Sequence, residues 1–150
     1  MKKFVLILSL FLFLGTSAWC QEKSLAERAS DEAQKIHNNC IQMYEEGQET
    51  TAEIVIRNIK INNCIADAIK SEIKIGFSQK QQNKMFEKLE LIRESVLAFY
   101  QTLHSENIYC DNSCGSISTL LPYADEGYAL HNMLENLIYL NLQKGGRKNS

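Results

Sequence analysis

A seven-residue apolar repeat is the most regular pattern along the chain. Its members, spaced alternately by four and three residues, are Met85, Leu89, Ile92, Val96, Phe99 and Leu103. This spacing places all six side chains on one face of an α-helix, with lysine, glutamate and arginine between them. Because Ser78 and Gln81 are spaced as a capping box, we predict a helix of about 25 residues that begins after Ser78 and buries this face.

Two further helices are predicted upstream from the same kind of start signal. Ser24 with Glu27, and Thr50 with Glu53, are spaced as capping boxes, in which the hydroxyl accepts a backbone N–H and the carboxylate reaches back. After Thr50, isoleucines and valines continue to Gly76 without a turn signal. β-Branched residues are common in strands too, but this length favours a helix. Its apolar first half suggests that it is the most buried element.

The fourth predicted helix is marked by Leu130, Leu134, Leu137 and Ile138. It ends before Gly145-Gly146. Pro122, the only proline, fits either the first turn of this helix or a kink soon after a short leading turn. Four amphipathic helices joined by short loops predict an all-α fold, an antiparallel four-helix bundle.

The chain begins with the pattern of a secretory signal peptide. A basic start precedes an uncharged apolar run of roughly ten residues, and small residues at 16–18 precede a cleavage point. We therefore predict a leader at residues 1–18 and a single helical domain with a short flexible tail at 19–150. The apolar run is shorter than the about 20 residues of a membrane-spanning helix. A lipoprotein signal with Cys20 as the modified residue, and cleavage after Cys20, are the alternatives.

Loss of the leader changes the charge of the chain. It removes two of the sixteen basic residues and none of the eighteen acidic ones, which leaves 132 residues with a net charge of −4. That length is typical of one domain. A mildly acidic body lacks the clustered basic surface of a nucleic-acid binder, and the basic residues at 144–148 are interpreted as a solvated tail. We expect a periplasmic or secreted protein with no nucleic-acid partner and no membrane anchor after cleavage.

The cysteines indicate disulfides. Apart from Cys20 they are Cys40, Cys64, Cys110 and Cys114, and an even number in an exported domain favours pairing. Of the three connectivities, we favour Cys40–Cys64 with Cys110–Cys114, since each pair is local in the chain. Helix geometry does not decide whether Cys40 and Cys64 are bonded to each other. In a tight hairpin that turns at residues 47–50, Cys40 would face residue 57, too far from Cys64 for a disulfide unless the helices are offset.

Redox and metal chemistry receive little support from the spacing of cysteines and histidines. Three residues, not two, separate the second pair of cysteines, and no βαβ pattern surrounds them, so a disulfide that closes a tight turn is favoured over a redox motif. His37 and Cys40 share one helix face, and His104 and His131 are candidates to join them. The paired spacing of a structural zinc site is missing. We expect no metal and no cofactor.

Three short segments are followed by a final helix: Asn62-Asn63-Cys64, Val96-Leu97-Ala98-Phe99-Tyr100 and Cys114-Gly115-Ser116. Together they resemble the LprI-type domain, which occurs in exported bacterial proteins, including inhibitors of lysozyme. The similarity extends over roughly residues 51–142. It implies a helical exported domain and a lysozyme-inhibitor-like activity. The chain departs from the family pattern near Val96, Tyr100 and His104, where tryptophan, arginine and cysteine are usual.

No arrangement of residues in the chain predicts catalysis. The histidines are framed by neither a nucleophile elbow nor a metalloprotease motif, and the adjacent Asp125 and Glu126 diverge on a helix. We expect a non-enzymatic protein-binding domain, similar in outward features to small immunity proteins that neutralise secreted cell-wall enzymes. The alternatives are a structural or accessory envelope protein, including a homodimer.

The segment at residues 107–121 is the predicted binding surface. The candidate binding residues in it and beside it are Tyr109, Asp111, Asn112, Ser113 and Tyr123. Tyrosines beside a constrained loop are typical of interface hot spots, and a preformed loop lowers the ordering cost of binding. We expect a protein partner whose cleft receives this loop. The alternative is that Tyr109 and Tyr123 only cover the end of the bundle.

Overall fold

The computed structural model describes residues 23–44, 50–105 and 117–145, and within these ranges the chain forms α-helices and no strands. The four helices are α1 (Leu25–Gln42), α2 (Thr51–Gly76), α3 (Gln79–Ser105) and α4 (Ile117–Gln143). The all-α prediction is confirmed for these residues. None of these helices is long and apolar enough to cross a membrane. The predicted leader and the Cys110–Cys114 pair lie outside the described residues.

The helices begin where the capping signals predict. Ser24 Oγ accepts the backbone N–H of Glu27 at 3.2 Å, and the Glu27 carboxylate accepts the backbone N–H of Ser24 at 2.8 Å. Thr50 and Glu53 form the same box at the start of α2. The backbone N–H of Ser78 donates to the Gln81 side chain, and α3 begins one residue later. A capping box joins two residues only three positions apart, so it can be predicted from the sequence alone.

The hydrophobic core lies mainly between α1, α2 and α4. Its buried members are Ala29, Ala33, Cys40, Ile61, Ile65, Ala66, Ile69, Ile73, Leu89, Leu130, Leu134, Leu137 and Ile138. Leu89 is the single contribution of α3 to this set. Burial along α2 is confined to its stretch from Ile61 to Ile73, whereas Ile56 in the apolar first half is exposed. The apolar first half, on which the expectation of a deeply buried α2 is based, is therefore not the part of the helix that is buried.

The Cys40–Cys64 disulfide joins α1 to α2, with 5.8 Å between the two Cα atoms. This pairing was one of the open connectivities, and it is confirmed. Lys60 lies over the ring of Tyr44, so residue numbers rise along α1 as they fall along α2. Cys40 faces Cys64 and not residue 57 because α2 extends beyond the end of α1. Within the described residues, α1 therefore lies beside the part of α2 around Cys64 and not beside its first turns.

Polar pairs give the relative directions of the other helices. Pairs between α2 and α3 are Asn63 with Arg93 and Lys70 with Glu90, so these two helices run in opposite directions. Pairs between α2 and α4 are Asn62 with Glu126 and Glu72 with Asn141, so these two run in the same direction. Both α2–α4 pairs are buried. Two asparagine–carboxylate contacts thus fix the register of the central helix pair.

The apolar stripe of α3 does not point straight into the core. Ile92 is 38% exposed and Phe99 is 59% exposed, which corrects the prediction that the whole stripe is buried. The reason is a rotation of α3. The neighbouring face, with Phe86, Arg93 and Tyr100, turns towards α2 and α4, where Tyr100 donates to Asp125 and Arg93 reaches Glu126. Polar contacts therefore set the rotation that the apolar periodicity alone misjudges.

Pro122 lies at the sixth position of α4, so a leading turn precedes it, as the second of the two predicted placements requires. At the other end, Gly145 has φ 65° and donates its N–H to the Leu142 carbonyl at 3.1 Å. A left-handed residue of this kind ends a helix, and glycine adopts it without steric cost. The predicted end of the last helix is confirmed.

Candidate functional site

A groove of about 420 Å³ opens where the last turns of α1 lie against α2 and α4. Its lining residues are Gln34, His37 and Ile41 from α1, Asn58, Ile61 and Asn62 from α2, and Tyr123, Ala124, Gly127, Tyr128 and His131 from α4. We call this feature the α1–α2–α4 groove. Histidine is the only ionisable type in this lining besides tyrosine, so amides, imidazoles, aromatic rings and aliphatic groups decide what the groove binds.

Two histidines from different helices meet in the wall of the groove. His37 Nδ1 and His131 Nδ1 are 3.1 Å apart, and the rings are edge-on with centroids 5.0 Å apart. At this distance one Nδ1 carries the proton and donates to the other. Burial, and then the charge of His131, lower the pKa of His37 from its ordinary value. His37 is therefore held in its neutral form more firmly than a free imidazole is.

The floor of the groove is a close approach of α2 to α4. Asn62 is buried, and its amide N–H₂ donates to the Tyr123 carbonyl at 2.8 Å and to the Glu126 carboxylate at 3.0 Å. A Cβ at position 127 would stand 2.8 Å from Asn62 Oδ1, so only a glycine leaves the asparagine its place. Gly127 is thus required by the packing of Asn62 and not by its own backbone conformation.

A buried ion pair attaches α3 to this floor. Glu126 is 3% exposed, and its second carboxylate oxygen accepts from Arg93 Nε at 2.6 Å. Arg93 also donates through Nη2 to the Asn63 side chain at 2.6 Å. A buried carboxylate is tolerated only when a cation and further donors compensate the lost hydration, and here both are present. The network runs from the groove floor across to α3.

Aromatic and aliphatic side chains form the rim of the groove. Tyr128 is 71% exposed, the largest exposure among the large hydrophobic side chains of the described residues, and Ile41 is also exposed. Tyr123 is half-buried beside them and lines the groove. A ring that projects from a groove edge presents a large contact area with few rotatable bonds. The rim therefore has the composition of a protein-contact surface.

Of the predicted binding residues, Tyr123 lies in the groove, where its carbonyl also accepts from Asn62. Tyr109, Asp111, Asn112 and Ser113 lie outside the described residues, so the proposal that this loop contacts a partner stays a prediction. Tyr128 is the most exposed of the groove residues that the sequence does not single out. The sequence does contain an indication of it. Tyr128 precedes the apolar stripe that begins at Leu130 and is not one of its positions, so this aromatic ring is not expected in the core.

No protein-family model matches the chain, and neither a curated protein nor a solved structure matches it. In the ranges 23–44, 50–105 and 117–145 there is also no group of three or more histidine, cysteine, aspartate or glutamate side chains arranged to hold a metal ion.

Proposed function

We propose that the protein is an exported, disulfide-stapled, antiparallel four-helix bundle that binds a protein partner through the α1–α2–α4 groove and catalyses no reaction. Its export is supported by the leader pattern at residues 1–18 and by a disulfide of the kind that persists in oxidising compartments. The antiparallel order is supported by the opposite directions of α1 and α2 and of α2 and α3. These features make periplasmic or secreted location part of the same proposal.

The observation that carries the proposal is the exposure of Tyr128 at the edge of an open groove. A tyrosine side chain with 71% of its surface in water contributes little to folding. The same side chain, placed in a partner's pocket, buries a large area and supplies a hydroxyl for a hydrogen bond. Tyrosine is one of the residue types enriched among the hot spots of protein interfaces.

The groove is also held in shape before any partner arrives. The Cys40–Cys64 disulfide fixes the wall that α1 supplies, because Ile41 is the next residue in the chain. On the other side, Asn62 against Gly127 fixes the spacing of α2 and α4. A preformed surface loses little conformational entropy on binding, so more of the contact energy appears as affinity.

The partner we propose is a basic cell-wall hydrolase, which makes the protein an inhibitor or immunity protein of a lysozyme-like enzyme. The mature chain would carry a net charge of −4, which favours a basic partner and accelerates the encounter. The resemblance to the LprI-type domain points to the same class. The groove lining itself holds no carboxylate. The acidic charge of the whole chain would therefore speed the encounter with a basic partner, whereas the side chains of the rim would hold the partner once it is bound.

The test is binding of the mature 19–150 chain to basic muramidases by calorimetry, together with the rate of cell-wall hydrolysis. We expect Tyr128→Ala to weaken binding by more than about tenfold, as hot-spot truncations do. Phe99→Ala is the matched control, since it removes another exposed aromatic ring, 59% exposed, from α3. Equal binding by wild type and Tyr128→Ala, or no binding to any hydrolase, contradicts this function.

A second candidate function is a homodimeric accessory protein of the envelope, and the exposed side chains of α3 favour it. Ile92 and Phe99 continue a seven-residue repeat, the spacing with which helices pair. This alternative predicts a dimer in sedimentation equilibrium that dissociates in Phe99→Ala and is unchanged in Tyr128→Ala. The two variants therefore distinguish the two functions. Tyr128→Ala weakens partner binding under the first proposal, and Phe99→Ala dissociates the dimer under the second.

A further inference from the structure

We propose that His37 and His131 together form a two-histidine binding site for a divalent transition metal, with zinc as the first candidate, and that the remaining coordination positions open into the α1–α2–α4 groove. This inference does not rest on the proposed function, since it concerns a small ligand and requires no partner protein. The spacing of histidines and cysteines in the sequence predicts no metal site, whereas the fold brings together two histidines that are 94 residues apart.

The distance between the two ring nitrogens carries the proposal. Zn–N bonds of about 2.0–2.1 Å at a tetrahedral angle separate two ligand nitrogens by about 3.3 Å. His37 Nδ1 and His131 Nδ1 are already 3.1 Å apart. The two atoms are hydrogen-bond partners of each other, so a small rotation of the rings makes both lone pairs converge on one ion.

The two imidazole rings suit a divalent transition metal of intermediate hardness. Imidazole is a good ligand for zinc, copper and nickel and a poor one for magnesium or calcium. The ligand must be deprotonated at the coordinating nitrogen, and the hydrogen bond between the two rings already requires one Nδ1 to be an unprotonated acceptor. One of the two rings carries its proton on Nδ1. When the metal binds, this ring changes to the tautomer protonated at Nε2, so both histidines stay neutral and no proton is released.

The site is open on one side. No third histidine, cysteine or carboxylate joins the pair among the described residues, so the ion would keep positions for water or for a group that enters the groove. The amides of Gln34 and Asn58 line the same groove and can hydrogen-bond metal-bound water. A site with two protein ligands and exchangeable positions binds less tightly than a closed structural site.

The two ligands are held by rigid neighbours. Cys40 lies one turn after His37 on α1 and is tied to α2 by the disulfide. Gly127 lies one turn before His131 on α4, where it packs against Asn62. Ligands on helices that are fixed in this way keep their separation without the ion, which reduces the ordering cost of metal binding.

The experiment is a calorimetric titration of the disulfide-bonded mature chain with Zn²⁺ after alkylation of any free thiols. We expect one ion per chain in wild type, and at least about tenfold weaker binding in His37→Ala and in His131→Ala, because losing a ligand costs more than losing an outer-sphere partner. His104→Ala is the matched control and keeps wild-type binding. Helix content by circular dichroism accompanies each variant, and a His37→Gln variant replaces His37→Ala if that protein does not fold.

A second measurement identifies the ligands directly. In NMR spectra of the wild-type chain, Zn²⁺ should shift the ring resonances of His37 and His131 and leave those of His104 in place. The proposal is overturned if wild type binds no zinc, if both alanine variants bind it as wild type does, or if the ring shifts fall on His104 instead. In those cases the pair is only a proton-sharing contact.

Discussion

The backbone of Gly127 lies so close to the side chain of Asn62 that a Cβ at position 127 would stand 2.8 Å from Asn62 Oδ1. Asn62 has no freedom to retreat, because its amide is bound to the Tyr123 carbonyl and to Glu126. This single contact therefore sets how closely α2 and α4 approach at the floor of the groove.

Replacement of Gly127 by alanine should reverse the usual helix preference. In an exposed helix interior, glycine to alanine gains about 0.5–1 kcal/mol. Here we expect a loss of about 1–3 kcal/mol in the free energy of unfolding, because the added methyl overpacks a fixed site. Urea denaturation measures it. In an Asn62→Ala background the same replacement should be neutral or stabilising, and a Gly127→Ala protein as stable as wild type would refute the account of this contact.

Removal of Arg93 from its pair with the buried Glu126 should cost far more stability than removal of Lys70 from the surface pair with Glu90. The Glu126 side chain is 3% exposed, whereas the side chains of Lys70 and Glu90 are 34% and 46% exposed. Arg93→Met leaves a buried carboxylate without its cation, which we expect to cost about 3–5 kcal/mol. Lys70→Met removes a cation of similar length from a solvated pair, with an expected cost of about 0–1 kcal/mol. Equal losses in chemical denaturation would show that Glu126 does not depend on Arg93.

The Cys40–Cys64 bridge should be the main redox-sensitive contribution to stability. Closing a loop with a sequence separation of 24 restricts the unfolded chain, and its removal is expected to cost about 3 kcal/mol in the chain-entropy account. We expect a reductant to lower the thermal midpoint of a Cys110→Ser/Cys114→Ser protein and to leave that of Cys40→Ser/Cys64→Ser nearly unchanged. The reverse pattern would place the stabilising bridge at the other pair.

Stability should fall on mild acidification through His37. Its pKa is lowered below the ordinary 6.5, first by burial and then by the charge of His131, so the unfolded chain binds more protons than the folded one in the interval between the two values. The contribution is complete above about pH 6.5 and is lost as the pH falls towards the folded pKa. Urea unfolding between about pH 7.5 and 5.5 reports the slope. His37→Gln should reduce it, and His104→Gln should not.

Helix boundaries are the part of this fold that the sequence predicts best, since a cap depends on near neighbours. Ser24 with Glu27 and Thr50 with Glu53 are examples in which the spacing predicts the bonds that form. The second placement of Pro122 and the end of α4 before Gly145 follow from equally local backbone constraints.

The rotation of α3 and the groove depend on contacts that local patterns do not contain. Arg93 meets Glu126 across 33 residues, and this pair turns part of the apolar stripe, including Phe99, towards solvent. His37 meets His131 across 94 residues, and nothing in the periodicity of either helix predicts that meeting. Apolar spacing predicts that a helix packs, but distant polar pairs determine which face is turned inwards.

Site-specific photo-crosslinking in the cells that export the protein tests the central claim most directly. A benzophenone side chain is introduced at Tyr128, on the rim of the groove, and in a second protein at Ile75, an exposed position near the far end of α2. Both chains keep the leader, and each adduct is analysed by mass spectrometry after irradiation. We predict one defined protein adduct, a cell-wall hydrolase, from position 128 and none from position 75. No adduct at position 128, or the same adducts at both positions, would contradict the assignment of the groove as the binding site.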